Sequence, residues 1–252
     1  RQTPRMAREI IEREMKERTG TLSLYNCGLK EIPQEVFEME WLEKLVITNN
    51  YDILDSHLTP EKLMETLINS KDPNFLSEIP REIGRLQNLK QLKIVGDEGE
   101  GRWAITTFDS ISELSNLEEL LLGRTKITDV SGVGNLKKIR RLGLLDNLIS
   151  DISWIKYLST LEYLGVQSDS ITDISAFESL ENLRILEMDN SPVKDFSSLR
   201  RLRKLVELSL RENSISDISF IKSLSSLEEL YLSNNLISDI EALSNLKKLK
   251  IL

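Results

Sequence analysis

The residues of this chain that could perform acid–base or nucleophilic chemistry are few. The only histidine is His57 and the only cysteine is Cys27. A hydrolase of the Ser-His-Asp type would have to use His57, and no nucleophile motif surrounds that residue. One cysteine and one histidine are also too few for a Cys/His metal cluster. The sequence therefore predicts no enzyme, no catalytic residue and no metal site, and it predicts that Cys27 is a buried structural thiol.

A glycine-rich stretch at 96–103 is the one segment that invites comparison with a phosphate-binding loop. It reads Gly-Asp-Glu-Gly-Glu-Gly-Arg-Trp. It lacks the Gly-Lys-Ser/Thr that such a loop needs, and its acidic side chains would repel phosphate. We interpret it as a surface loop, and we expect no cofactor in this chain.

Aspartates recur at regular intervals, and their regularity favours a structural role over a catalytic one. Each follows Ser or Thr and precedes Ile or Val, at Asp129, Asp151, Asp173, Asp217 and Asp239. An aspartate in this setting accepts hydrogen bonds from nearby backbone amides. We therefore predict that these residues cap short 3₁₀ segments.

The aspartates belong to a 22-residue repeat that extends from Leu117 to Lys250. Its opening apolar position falls at Leu117, Ile139, Leu161, Leu183, Leu205, Leu227 and Leu249. Each copy continues as L-x-x-L-x-L-x-x-N-x-I, in which the x-L-x-L-x part has the period of a strand. One unit cannot bury its leucines alone, so copies must stack into a parallel sheet over a continuous core. The pattern resembles that of leucine-rich repeats.

The resemblance implies an α/β solenoid, shaped like a horseshoe, with a parallel β-sheet on its concave face. Short 3₁₀ or irregular segments would form the convex side. The Asn position, occupied by Asn147, Asn213 and Asn235, would bond to neighbouring backbone and form a ladder. Irregular repeats of the same type extend back to Gly20, so the resemblance covers nearly the whole chain.

The N-terminal part predicts a cap and two insertions. Residues 4–18 predict a helix with an apolar stripe of Met6, Ile10 and Met15, which would cover the first repeat within a capping segment at 1–19. The repeat domain would span 20–252, with insertions at about 51–73 and 97–102 that emerge on one edge. We expect a short helix at 60–69 in the first insertion. The chain reaches Leu252 midway through a tenth frame, so we expect the natural polypeptide to continue.

Composition limits the partners and the compartment. The net charge of −8 argues against nucleic acid and anionic membranes as partners. No 18-residue apolar run or signal peptide is visible. A single cysteine allows no intramolecular disulfide, whereas extracellular leucine-rich repeats usually carry disulfide caps. A cytoplasmic location is therefore the expectation.

A surface for binding is predicted on the concave sheet, at the strand positions between the leucines. Apolar residues there need no partner for folding, and acidic residues adjoin them. The candidate partner-binding residues are Val46, Val95, Leu121, Leu145, Tyr163, Ile185, Glu187, Asp189 and Tyr231. Tyr163 is the expected anchor and should point to solvent. Gly123, Gly143 and Gly165 should leave a shallow dip nearby. The predicted function is protein–protein interaction or regulation.

Within the superfamily, several resemblances remain open. The helix with Ile10-Ile11-Glu12, then Thr19-Gly20-Thr21-Leu22-Ser23-Leu24 and Leu29-Lys30-Glu31-Ile32-Pro33, is similar to the start of bacterial Roco proteins. That resemblance implies a Ras-like GTPase domain, with GTP or GDP, elsewhere in a longer protein. The partner would then be another domain or protomer of the same polypeptide. The 22-residue units also resemble internalins and the leucine-rich regulatory subunit of protein phosphatase 1.

Overall fold

A computed structural model describes residues 2–54, 72–97, 101–167 and 170–252. The helix predicted at 60–69, and His57, lie outside the described residues. By its internal contacts the chain divides into two compact units, Arg1–Val130 and Ser131–Leu252. Both units are built from the same repeat.

The first unit begins with the predicted helix, α1, at Arg5–Glu17. Its buried residues are Ala7, Ile11 and Glu14, whereas Met15 is exposed. The predicted stripe of Met6, Ile10 and Met15 is therefore wrong by about one position. The difference is explained by hydrogen bonds to the Glu14 carboxylate, which accepts from the Gly20 amide (2.9 Å) and from the Trp41 indole (2.8 Å). These bonds turn the Glu14 side of the helix inward.

Four parallel strands of the first unit follow in chain order. They are β1 (Thr21–Tyr25), β2 (Lys44–Thr48), β3 (Gln91–Val95) and β4 (Glu119–Gly123). The repeat leucines align across the strands, so that Leu22, Leu45, Leu92 and Leu120 form one buried row. The stacked strands bury leucines that a single repeat would leave exposed.

Five parallel strands of the second unit repeat this arrangement. They are β5 (Arg141–Leu145), β6 (Tyr163–Gln167), β7 (Ile185–Glu187), β8 (Glu207–Ser209) and β9 (Glu229–Tyr231). Their buried row is Leu142, Leu164, Leu186, Leu208 and Leu230. The predicted solenoid of parallel strands, with an N-terminal helix, is confirmed.

Short 3₁₀ helices return the chain between strands. Their bounds are Gln34–Glu38, Tyr51–Ile53, Arg81–Arg85, Ile111–Glu113, Ser131–Asn135, Ser153–Tyr157, Ser175–Ser179, Ser197–Arg201, Ser219–Ser223 and Glu241–Asn245. The predicted aspartate caps at Asp151, Asp173, Asp217 and Asp239 form at the starts of these helices: Asp173 Oδ1, for example, accepts the Ser175 amide at 2.8 Å. The same contact recurs at Asp151, Asp195, Asp217 and Asp239. These residues are therefore structural.

The asparagine ladder also forms. Asn235 Oδ1 accepts the amides of Asn213 (3.0 Å) and Ile215 (2.9 Å), and its Nδ2 donates to the Leu210 carbonyl (2.8 Å). In the first unit Asn74 does the same for Cys27 and Leu29. Asn74 follows the predicted insertion, so the second repeat resumes its ladder there.

The bases of the two predicted insertions are hydrogen-bonded together. Asn49 Nδ2 donates to the Asn74 carbonyl and to Asp97 Oδ2, both at 2.8 Å. The Asn74 amide returns a bond to Asn49 Oδ1 at 2.7 Å. Asn74 and Asp97 therefore lie at one edge, as the sequence predicts for the points where the insertions leave the scaffold.

Candidate functional site

Two candidate residues in the first unit are not on an open surface. Val46 and Val95 each have 0 % of their surface exposed. All five residues of β2 are buried, so both faces of that strand are covered within the chain. The prediction that Val46 and Val95 are exposed is therefore wrong. Leu121 is half-buried on β4 and keeps part of its surface accessible.

The second unit carries the rest of the candidate surface on one side of its sheet. We call this surface the 131–252 sheet face; it consists of the outward residues of β5 to β9 and of Asp189 and Arg211, which follow β7 and β8. Leu145, Tyr163 and Ile185 are half-buried there, and Glu187 is exposed. Strand register places Tyr163 beside Ile185, and Ile185 beside Glu207 and then Glu229. Apolar and acidic side chains thus adjoin along one row.

Tyr163 lies along the sheet instead of standing out from it. A Cβ added to Gly165 would come within 2.8 Å of the Tyr163 hydroxyl oxygen. That hydroxyl donates to Glu187 Oε2 at 2.8 Å, and the Arg141 guanidinium lies 4.3 Å from the ring centroid. The pKa of Tyr163 is raised, first by partial burial and then by the bond to Glu187. Its predicted solvent-pointing orientation is therefore wrong, and Tyr163 itself occupies the dip predicted at Gly165.

Tyr231 repeats this arrangement on β9. The Arg211 guanidinium lies 4.4 Å from its ring centroid, and its hydroxyl donates to Glu229 Oε2 at 3.4 Å. The pKa of Tyr231 is raised, with burial as the first cause and Glu229 as the second. Each tyrosine is thus held between a cation and a carboxylate, which fixes the position of its ring.

Asp189 serves mainly to shape the turn after β7. Its Oδ1 accepts the Ser209 hydroxyl at 2.7 Å and the Arg211 amide at 2.8 Å, and its Oδ2 lies 3.9 Å from the Arg211 guanidinium. Sequence reasoning missed the roles of Arg141 and Arg211. Arg141 precedes Tyr163 by one repeat, and Arg211 precedes Tyr231 by slightly less than one repeat. This spacing between an arginine and an outward tyrosine is the sequence signal that would have indicated their roles.

Glu207 lies on β8, between β7 and β9, in the 131–252 sheet face. It is half-buried, and strand register puts it between Ile185 and Glu229. Its pKa is raised, first by burial and then by Glu229 and Glu187. No hydrogen bond or ion pair to its carboxylate is formed within the described part of the chain. Glu207 therefore contributes a negative charge that its surroundings do not neutralise.

Cys27 is buried as predicted. Only 2 % of its surface is exposed, and its Sγ donates to the Tyr25 carbonyl at 3.3 Å. Burial raises the pKa of the thiol to about 12, so it stays protonated at neutral pH. Among residues 2–54, 72–97, 101–167 and 170–252, no group of three or more His, Cys, Asp and Glu could hold a metal ion. No helix within these described ranges has the length and apolar character to cross a membrane.

The repeats and their stacking define the class of protein. A family model described as "Leucine-rich repeat region" matches residues 19–196, and one described as "Leucine Rich repeats (2 copies)" matches residues 203–245. The chain therefore belongs to the leucine-rich-repeat family. No curated protein matches it.

Solved structures of bacterial leucine-rich-repeat proteins are similar to it. An internalin C2 of Listeria monocytogenes is 33% identical, with a TM-score of 0.64, and the match covers 71% of this chain and 76% of that one. A leucine-rich-repeat protein of Leptospira interrogans is 26% identical, with a TM-score of 0.70, over 94% of this chain and 61% of that one. A second internalin of Listeria monocytogenes is 23% identical, with a TM-score of 0.61, over 96% of this chain and 78% of that one. This match bears on the fold alone.

Proposed function

We propose that this chain is a non-catalytic protein-binding module and that the 131–252 sheet face makes the contact. The observation that carries the proposal is the row in which half-buried Tyr163 and Ile185 adjoin Glu207 and Glu229, with half-buried Leu145 elsewhere on the same face. Apolar area next to polar groups is typical of protein interfaces. Leucine-rich-repeat folds generally bind proteins. The stacked repeats of the second unit, Ser131–Leu252, would serve to hold this face rigid.

The fixed tyrosines support the proposal. Tyr163 and Tyr231 present ring area whose conformation is already set by Arg141, Glu187, Arg211 and Glu229. A partner that packs on them need not pay the entropy of ordering them, and tyrosine is enriched among residues that dominate binding energy.

The resemblance of residues 5–40 to bacterial Roco proteins supports a more specific version. In that version the chain is the leucine-rich-repeat part of a cytoplasmic GTP-binding protein, and its partner is another domain or protomer of the same polypeptide. The nucleotide site would lie outside this chain. Finding a P-loop downstream of Leu252 in the gene would support this version, and its absence there would contradict it.

An internalin-like binding protein is the second candidate. The observation that favours it is the 33% identity to an internalin C2 over 71% of this chain. Under this version the partner is a separate protein. The two versions share the 131–252 sheet face as the contact surface and differ in the source of the partner.

Selection of binding peptides tests the shared proposal. Twelve-residue peptides selected from a random displayed library against the wild-type chain would be measured against Ile185→Arg and Tyr157→Arg. Tyr157 is 58% exposed in a 3₁₀ helix away from the strands, so it serves as the matched control. We expect Ile185→Arg to weaken the selected peptides at least tenfold and Tyr157→Arg to change them less than twofold.

The opposite pattern would overturn the proposal, as would peptides that both variants bind normally. Leu145→Ser is the second variant on the same face if Ile185→Arg fails to fold. Circular dichroism of each variant separates loss of binding from loss of structure.

A further inference from the structure

The charge balance of the 131–252 sheet face indicates what kind of protein segment it receives. Its outward charged residues are Arg141, Glu187, Asp189, Glu207, Arg211 and Glu229. Both arginines already lie over tyrosine rings, and Arg211 also adjoins Asp189. The face therefore has more acidic than basic groups, and its basic groups have intramolecular contacts.

Glu207 is the least compensated of these acids. It faces Glu229 directly across the β8–β9 pair, and like charges in this position destabilise a sheet. It is also half-buried, so water screens the repulsion less than at a fully exposed site. A cation from outside the chain would relieve this repulsion, and binding it would then be favoured by charge.

The apolar residues of the same row determine which kind of cation binds favourably. Ile185 lies next to Glu207 on β7, and Tyr163 lies next to Ile185 on β6. A hydrated inorganic ion gains nothing from these side chains. A peptide with a lysine or arginine next to an apolar residue would contact both parts of the row. The charged end of its basic side chain would meet the acidic residues, and the neighbouring apolar side chain would cover Ile185 and Tyr163.

We propose that the 131–252 sheet face receives a protein segment that places a lysine or arginine against Glu207 and Glu229 and an apolar side chain against Ile185 and Tyr163. This inference rests on the proposed protein-binding function and adds the chemistry of the occupant. Charge complementarity sets the orientation and the salt dependence of the contact, and the apolar row supplies desolvated area.

The test uses the peptides selected from the random library and asks two questions of them. The first is composition: peptides whose binding is lost in Ile185→Arg should contain more lysine and arginine than the unselected library. The second is coupling: replacing the basic residue of a selected peptide with glutamine should weaken binding at least fivefold to wild type but less than twofold to Glu207→Gln. Such a double-mutant cycle isolates the pair.

A control variant addresses the general negative charge of the chain, which is −8. Glu181→Gln removes one exposed carboxylate outside the strands. Its affinities for the selected peptide and for the glutamine-substituted peptide should stay within twofold of the wild-type values. Peptides that need Ile185 yet show no basic enrichment and no coupling to Glu207 or Glu229 would overturn the inference and leave the proposed function standing. Peptides insensitive to Ile185→Arg would overturn the proposed function itself. Equal losses in Glu207→Gln and Glu181→Gln would show only diffuse attraction and would also overturn the inference.

Discussion

Tyr163 lies across Gly165, with its hydroxyl oxygen 2.8 Å from the point where a side chain on Gly165 would begin. The two residues are on the same strand and point to the same face, so the missing side chain of one provides the space for the ring of the other. The hydroxyl then reaches Glu187 on the next strand. The conformation of the expected anchor thus depends on a glycine two residues further along the chain.

Gly165→Ala should displace the Tyr163 ring without unfolding the chain. The new Cβ would meet the far end of a movable side chain, and alanine in a strand is favoured over glycine, so the free energy of unfolding should change by less than about 1 kcal/mol. The ring would lose partial burial and the bond to Glu187, so the pKa of Tyr163 should fall towards its ordinary value. NMR titration of the tyrosine rings measures this, with Tyr163→Phe to assign the signal. An unchanged titration would contradict the described contact.

Asn213→Ala should destabilise the second unit by about 2 kcal/mol, because buried amide and carbonyl groups would lose their partner. Asn213 Oδ1 accepts the Ser191 amide at 2.9 Å, and its Nδ2 donates to the Met188 carbonyl at 2.8 Å. Asn245→Ala, at an exposed asparagine of the same unit, is the control and should cost less than about 0.5 kcal/mol. Urea unfolding measures both variants. Equal free energies of unfolding for the Asn213→Ala and Asn245→Ala variants would mean that the ladder does not contribute to stability.

Glu14→Ala should loosen α1 from the first repeat. Glu14 is 4 % exposed and accepts bonds from Thr19 Oγ1 (2.5 Å), the Gly20 amide and the Trp41 indole. Removing it leaves the buried Gly20 amide and the Trp41 indole without this acceptor, so we expect a loss of about 3 kcal/mol and faster amide exchange along α1. Glu12→Ala, an exposed change on the same helix, should have little effect. Exchange that stays slow in Glu14→Ala would refute this role.

The aspartate caps should make stability depend on pH in the acid range. Bonds from the following serine lower the pKa of Asp151, Asp173, Asp195 and Asp217. A group whose pKa is lower when folded stabilises the fold fully above its unfolded value of about 3.9 and loses that effect as pH falls through the folded value. Stability should therefore decrease as the pH drops below about 4.

Replacing these four aspartates with asparagine tests the source of that loss. Asparagine keeps an oxygen acceptor but does not titrate, so the midpoint of urea denaturation should shift less between pH 6 and pH 3 than in wild type. The control variant changes four exposed glutamates to glutamine, at Glu31, Glu35, Glu38 and Glu181. An equal reduction in the control would contradict a specific role for the caps.

The repeat phase predicts the strands closely because each leucine must fall on the same row as its counterparts. Leu142, Leu164 and Leu186 align in register, and the 22-residue spacing requires this. The phase also assigns Val46 to an outward position, but direction alone does not say whether another part of the chain covers that position. The repeat pattern therefore cannot predict that Val46 is buried.

The arrangement around Tyr163 illustrates the other limit. The sequence shows that Tyr163 is outward, yet its conformation depends on Arg141 in the preceding repeat, Glu187 in the following one and Gly165 on its own strand. Such contacts between repeats follow from side-chain lengths and rotamers, which a consensus does not encode.

Photo-cross-linking tests most directly whether the 131–252 sheet face is the binding surface. A benzoylphenylalanine would replace Gln167, exposed at the end of β6, or Ser179, exposed at the end of a 3₁₀ helix. With a selected peptide bound, we expect the cross-link to form from position 167 and not from position 179. A cross-link from position 179 with none from position 167 would contradict the proposal that the sheet face binds protein.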